Sequence, residues 1–142
     1  MPGRFYQEKV KEKPVPVGPV LAGVEDTAGG LDLNGGTASS SQPGADVFTI
    51  PAAGRIEILA ATLSMRNCTP GAAVTVRAYM YVDGVEDKIY HQTFTKGTDP
   101  DGIMAISGNY GANKPIRFEM HSDNAGDAAV DVPYKAIWRV LE

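Results

Sequence analysis

Two histidines, His91 and His121, and a single cysteine, Cys68, have the widest chemical reach in this 142-residue chain, and their spacing limits what they can do. Both histidines fall in alternating, strand-like segments, and neither has a second His or Cys at the short separations of a zinc site. No metal set is expected from them. His121-Ser122-Asp123 holds the three residue types of a hydrolase triad, but consecutive strand residues point to opposite faces, so neighbours cannot form the relay. Cys68 sits beside Thr69-Pro70-Gly71 with no His nearby in sequence, which suits a loop or core thiol and not a nucleophile.

The acidic residues read similarly. Asp99-Pro100-Asp101-Gly102 begins like a calcium loop, yet the position that needs a bidentate glutamate holds Tyr110. Asp123, Asn124, Asp127 and Asp131 offer oxygen atoms from one loop, although such residues also stabilise turns through their own side chains. Gly29-Gly30 and Gly35-Gly36 lack both the Lys-Ser/Thr ending and the βαβ context of a phosphate loop. The expectation is therefore no catalytic residue, no metal and no cofactor.

The strands that would carry these residues occupy the C-terminal two thirds of the chain. Val47 to Ile50 is followed by a turn at Pro51 to Gly54, and Arg55 to Arg66 is a long strand whose apolar parity changes near Leu59, which predicts a β-bulge. Val74, Val76, Ala78, Met80 and Val82 share one face of the next strand, with Thr75, Arg77, Tyr79 and Tyr81 on the other. Asp83-Gly84 is the pair favoured where a hairpin needs positive φ, so Val85 to Thr95 should return antiparallel. A short strand over Ile103 to Ser107 precedes the turn Gly108-Asn109-Tyr110-Gly111; Pro115 to Ser122 alternates again, and Val130 to Val132 and Tyr134 to Leu141 close the chain.

Two groups stand out as interaction candidates. Arg77, Tyr79 and Tyr81, on one outward parity, suit a protein interface or a sugar-stacking platform, and equally a surface covered by another part of the chain. Ile137 and Leu141 make the second face of the last strand partly apolar, so that strand is either central and covered on both sides or part of a subunit interface. Seven to eight strands at short, regular spacing, with no helix and no repeat, predict an all-β fold: an antiparallel β-sandwich of jelly-roll type over residues 46–142.

Residues 1–45 are expected to form an extended N-terminal arm and a Gly/Ser-rich linker. Pro14, Pro16 and Pro19 bar a regular helix and favour an extended path, while Val15, Val17, Val20 and Leu21 are apolar residues in want of a groove. The chain carries 13 basic and 17 acidic residues. Four of the bases (Arg4, Lys9, Lys11, Lys13) lie before Pro19, so the rest of the chain is acidic and poorly suited to neutralising phosphates. A nucleic-acid partner is not expected. A lone cysteine permits no internal disulfide, and neither a secretory signal pattern nor a run of membrane-spanning length is present, so synthesis in the cytoplasm is expected.

The Pro/Val arm (Lys13-Pro14-Val15-Pro16-Val17-Gly18-Pro19-Val20), the Gly/Ser linker and a small acidic sandwich with the hairpin Tyr79 to Tyr90 resemble, in layout, the capsid decoration (cement) proteins of tailed bacteriophages. The resemblance implies a non-enzymatic virion protein on the outer capsid surface, commonly a homotrimer. Its partner would be the major capsid protein, with Phe5, Tyr6, Val15, Val17, Val20 and Leu21 as the apolar anchors of a clamping arm. The alternative is a phage fibre or carbohydrate-binding module that uses the outward tyrosines and acidic loops.

Overall fold

The computed structural model describes residues 20–35, 44–52 and 54–141, with Val20 and Asn109 described by their backbone alone. Within them the chain forms eight strands: β1 (Val20–Leu31), β2 (Ala45–Ile50), β3 (Ile56–Ser64), β4 (Ala73–Val82), β5 (Val85–Thr95), β6 (Gly102–Ala112), β7 (Ile116–Ser122) and β8 (Val130–Val140). One 3-10 turn, Ala125–Asp127, lies between β7 and β8.

The topology follows from one long hairpin. Asp83 (φ 50°) and Gly84 (φ 81°) make its tip, both in the left-handed region that a two-residue hairpin turn requires. About that tip β4 pairs with β5, β3 with β6, β2 with β7 and β1 with β8, all antiparallel. Rolling the paired ribbon adds the β3–β8 and β4–β7 ladders and gives two four-stranded sheets, β1-β8-β3-β6 and β2-β7-β4-β5. This is the jelly roll that the strand pattern predicts.

Inward residues of both sheets fill the space between them, among them Ile50, Ile58, Leu63, Val74, Val76, Ile116, Phe118 and Met120, none of which touches solvent. Phe48 ties the sheets together. Its ring stacks on Phe118 at 4.5 Å and on Tyr134 at 4.4 Å, so three aromatic rings span from β7 to β8. The bulge expected near Leu59 is present: the register of β3 slips between Ile58 and Ala60 against both neighbours.

Three features depart from the sequence reading. Residues 20–31, expected as arm and linker, form the edge strand β1, paired from Val20↔Val140 to Leu31↔Val130. Residues 20–31 therefore belong to the sandwich, ahead of the boundary expected near residue 46, because β8 presents a free edge that Ala22, Val24 and Ala28 cover from the inner side. Of the six arm anchors, Phe5, Tyr6, Val15 and Val17 lie outside the described residues, and Val20 and Leu21 belong to β1. Second, β6 runs on through Gly108 to Ala112 where a turn was expected, since β3 supplies partners as far as Ile56↔Ala112. Third, Val130 to Val140 is one strand. Pro133 is tolerated in it because the β3 ladder stops at Leu63↔Tyr134, leaving one flank of Pro133 with no ladder to interrupt.

Gly44 leads into β2 so close to β7 that a Cβ there would lie 2.0 Å from the Met120 carbonyl oxygen. No side chain can turn away, because the obstacle is backbone. Gly44→Ala is thus expected to push β2 off β7 and cost roughly 1–3 kcal/mol, the usual range for overpacking. Chemical denaturation would check it, and an unchanged midpoint would contradict the contact.

Candidate functional site

Alternation along β4 and β7 puts Arg77 and Tyr79 next to Arg117 and Glu119 on the outer face of the second sheet, with Asp46 of β2 and Glu86 of β5 on either side. The result is an ionic lattice across four strands. Arg117 is its hub: Nη1 donates to Asp46 Oδ1 at 2.7 Å and to Glu119 Oε2 at 3.1 Å, while Nη2 donates to Glu86 Oε1 at 2.8 Å. Arg77 Nε stands 3.0 Å from Glu119 Oε1 as an ion-pair contact outside hydrogen-bond alignment, with both side chains more than nine-tenths buried. The guanidinium of Arg117 also covers one face of the Tyr79 ring, 4.1 Å from its centroid.

The titration directions reflect these contacts. Hydrogen bonding to Arg117 holds Glu86 below the usual carboxylate range, and the same acceptors, Glu86 first, raise Arg117. Burial, then the Glu119 charge, raises the Tyr79 phenol. Such a lattice holds strands in register; it contains no nucleophile paired with a base.

The expected interface residues do not form one surface. Arg77 is buried, and its charge is used inside the lattice. Tyr79 is half-buried and capped by Arg117, Tyr81 is exposed, Ile137 is half-buried on the outer face of the other sheet, and Leu141 is exposed just past β8. β8 is central in its sheet, while its outer face stays partly open at Lys135, Arg139 and Leu141.

The remaining candidates separate as well. His121 is fully buried and Ser122 faces away from it, donating its hydroxyl to Asp127. His91 is exposed on β5 with Nδ1 2.9 Å from Lys88 Nζ; partial burial, then Lys88 and Arg77, lowers its pKa. Cys68 is buried, and burial followed by the Asp127 charge pushes its thiol up to about 12, far from thiolate chemistry.

The acidic loop spends its oxygens on the chain itself. Asp127 accepts from Thr69 N at 2.9 Å, from Thr69 Oγ1 at 2.8 Å and from Ser122 Oγ. Asp123 accepts from Ala73 N, Asp131 from Gly30 N, and Asn124 caps the 3-10 turn through Gly126 N. Among the described residues no three His, Cys, Asp or Glu side chains are grouped to hold a metal ion, and no helix is long and apolar enough to cross a membrane.

No protein-family model matches the chain, and no curated protein matches it either. Solved structures do show some likeness. The chain is similar to the infectious bursal disease virus VP2 subviral particle, at 13% identity and a TM-score of 0.46, over 87% of this chain and 33% of that one. It is also similar to the structure of the infectious bursal disease virus Gt strain, at 13% identity and a TM-score of 0.42, with the same coverage. The chain spans about a third of the length of these proteins.

The surface of the described residues is also hollowed in places. A trough of mixed character, about 610 Å³, is lined by Glu25, Thr62, Leu63, Arg66, Tyr134 and Lys135 among others. A second hollow, of about 460 Å³, lies beside the β4–β5 tip between Tyr81, Asp83, Gly84, Asn113 and Lys114. The sequence pattern missed the Arg117 lattice, although charged residues at outward parity on both β4 and β7 are its signal.

Proposed function

We propose that this chain is a non-enzymatic structural protein of a virion. It binds the outer capsid surface as a homotrimer and stabilises the head by clamping neighbouring major-capsid subunits with its N-terminal arm. The observation that carries this reading is Leu21, the arm anchor whose side chain is described: at the start of β1 it is 64% exposed. In sequence it follows Val15, Val17 and Val20, and apolar residues that a filled core does not take up are explained by a partner that buries them. The jelly roll is compatible, since it serves viral capsid domains; it serves lectins too, so fold alone does not choose. A carbohydrate-binding reading leaned on Tyr79 and Tyr81, and of that pair only Tyr81 is exposed.

Deletion of residues 1–19, which leaves β1 whole, tests the proposal. Three weak arms on one trimer gain avidity from adjacent sites, so their joint loss should weaken binding to DNA-free heads by about a hundredfold while folding and oligomeric state stay unchanged. Undiminished head binding by the truncated protein would refute the clamp.

A further inference from the structure

The registers place both termini of the sandwich and its hairpin tip at one end. Val20, Val140, Ile56 and Ala112 form one row across the first sheet. Ile50↔Ile116 and Val82↔Val85 end the ladders of the second sheet on the same side, because residues 51–55 and 113–115 connect the two sheets there.

Exposed apolar side chains gather at this end. Of the six large hydrophobic residues exposed among those described, five are here: Leu21, Tyr81, Val82, Val85 and Leu141; the sixth, Met104, lies toward the other end of β6. The opposite end is acidic, closed by loops that hold Asp32, Asp99, Asp123 and Asp127 in bonds to backbone amides. A small sandwich in water has no reason to segregate its surface in this way, and apolar patches rimmed by polar groups mark contact sites.

We propose that this end is the docking face of the domain, with the tip Tyr81–Val85 as its rigid plug, seated in an apolar depression on the outer surface of a protein shell. The choice of occupant rests on the function proposed above and on where the chain leads. Residues 1–19 join the sandwich at Val20, on this same end, and extended they reach up to ~60 Å, so arm and plug address one surface. The left-handed turn at Asp83-Gly84 fixes the tip, so little ordering entropy is lost when it seats. The hollow beside it, with Lys114 and Asp83 at its rim, accepts a side chain from the shell in return.

The test uses the full-length chain and DNA-free heads of the virus whose genome encodes it, measured by co-sedimentation alongside sedimentation velocity and thermal unfolding. Val82→Asp with Val85→Asp should weaken head binding at least tenfold without changing the oligomer, whereas Met104→Asp should bind like the parent. Val82→Thr with Val85→Thr, which keeps strand propensity, should move binding the same way and serves if the aspartate pair fails to fold. Wild-type binding by the tip variants overturns the inference and leaves the arm clamp standing. Loss of the oligomer in the tip variants overturns it in favour of a second copy of this chain as the occupant. Failure of the parent chain to bind heads refutes the functional reading itself, and the docking face with it.

Discussion

Asp127→Ala is expected to destabilise the protein by roughly 3–4 kcal/mol, because one buried carboxylate satisfies three donors, two from Thr69 and one from Ser122, and each abandoned donor costs about 1–3 kcal/mol. Thr69 belongs to the β3–β4 loop and Ser122 ends β7, so the carboxylate joins segments that no ladder connects. Its own backbone adds a further tie, since Leu33 N donates to the Asp127 carbonyl at 2.9 Å. At roughly 2–4 °C per kcal/mol for a chain of this size, the thermal midpoint should fall by about 10 °C. Asp127→Asn keeps one acceptor oxygen and should lose less. A shift in the alanine variant equivalent to under about 1 kcal/mol would show that water replaces the carboxylate and that the loops do not depend on it.

That residue shows where sequence reading stops. The composition of the 123–131 loop suits turn stabilisation and oxygen ligation equally, and only the approach of Thr69, a contact across 58 positions, shows which donors the oxygens meet. Legible features are local ones: the alternation of Val74 to Val82, the Asp83-Gly84 turn and the phase change at Leu59 each depend on neighbours a few residues away. Strand β1 was missed because Gly23, Gly29 and Gly30 and the pair Glu25-Asp26 give it a loop's composition. It is a strand because β8 offers an edge, and pairing overrides propensity. For Arg77 the sequence left an interface and a covered surface equally open, since parity fixes a face without saying what covers it. The lattice over it draws on β2, β7, β4 and β5, whose adjacency is set by the roll of the whole ribbon.

The same lattice yields a sharper prediction. Glu119→Leu should cost roughly 3–5 kcal/mol, the range for removing one partner of a buried ion pair, because Arg77 keeps its charge in a site more than nine-tenths buried after the carboxylate is gone. Arg117 suffers less, as it retains Asp46 and Glu86. Removing both buried charges reverses the logic: in Arg77→Met with Glu119→Leu the two members of the pair go together, and apolar groups of similar volume avoid the desolvation penalty that the pair carries. The double variant should therefore recover most of the loss, giving a coupling of about 2 kcal/mol or more in a double-mutant cycle, within the range for residues in contact. Urea unfolding of the four proteins measures it. Simple additivity would mean that the two side chains act independently, and the outer face of this sheet would then owe its order to the backbone ladders and to Arg117 alone.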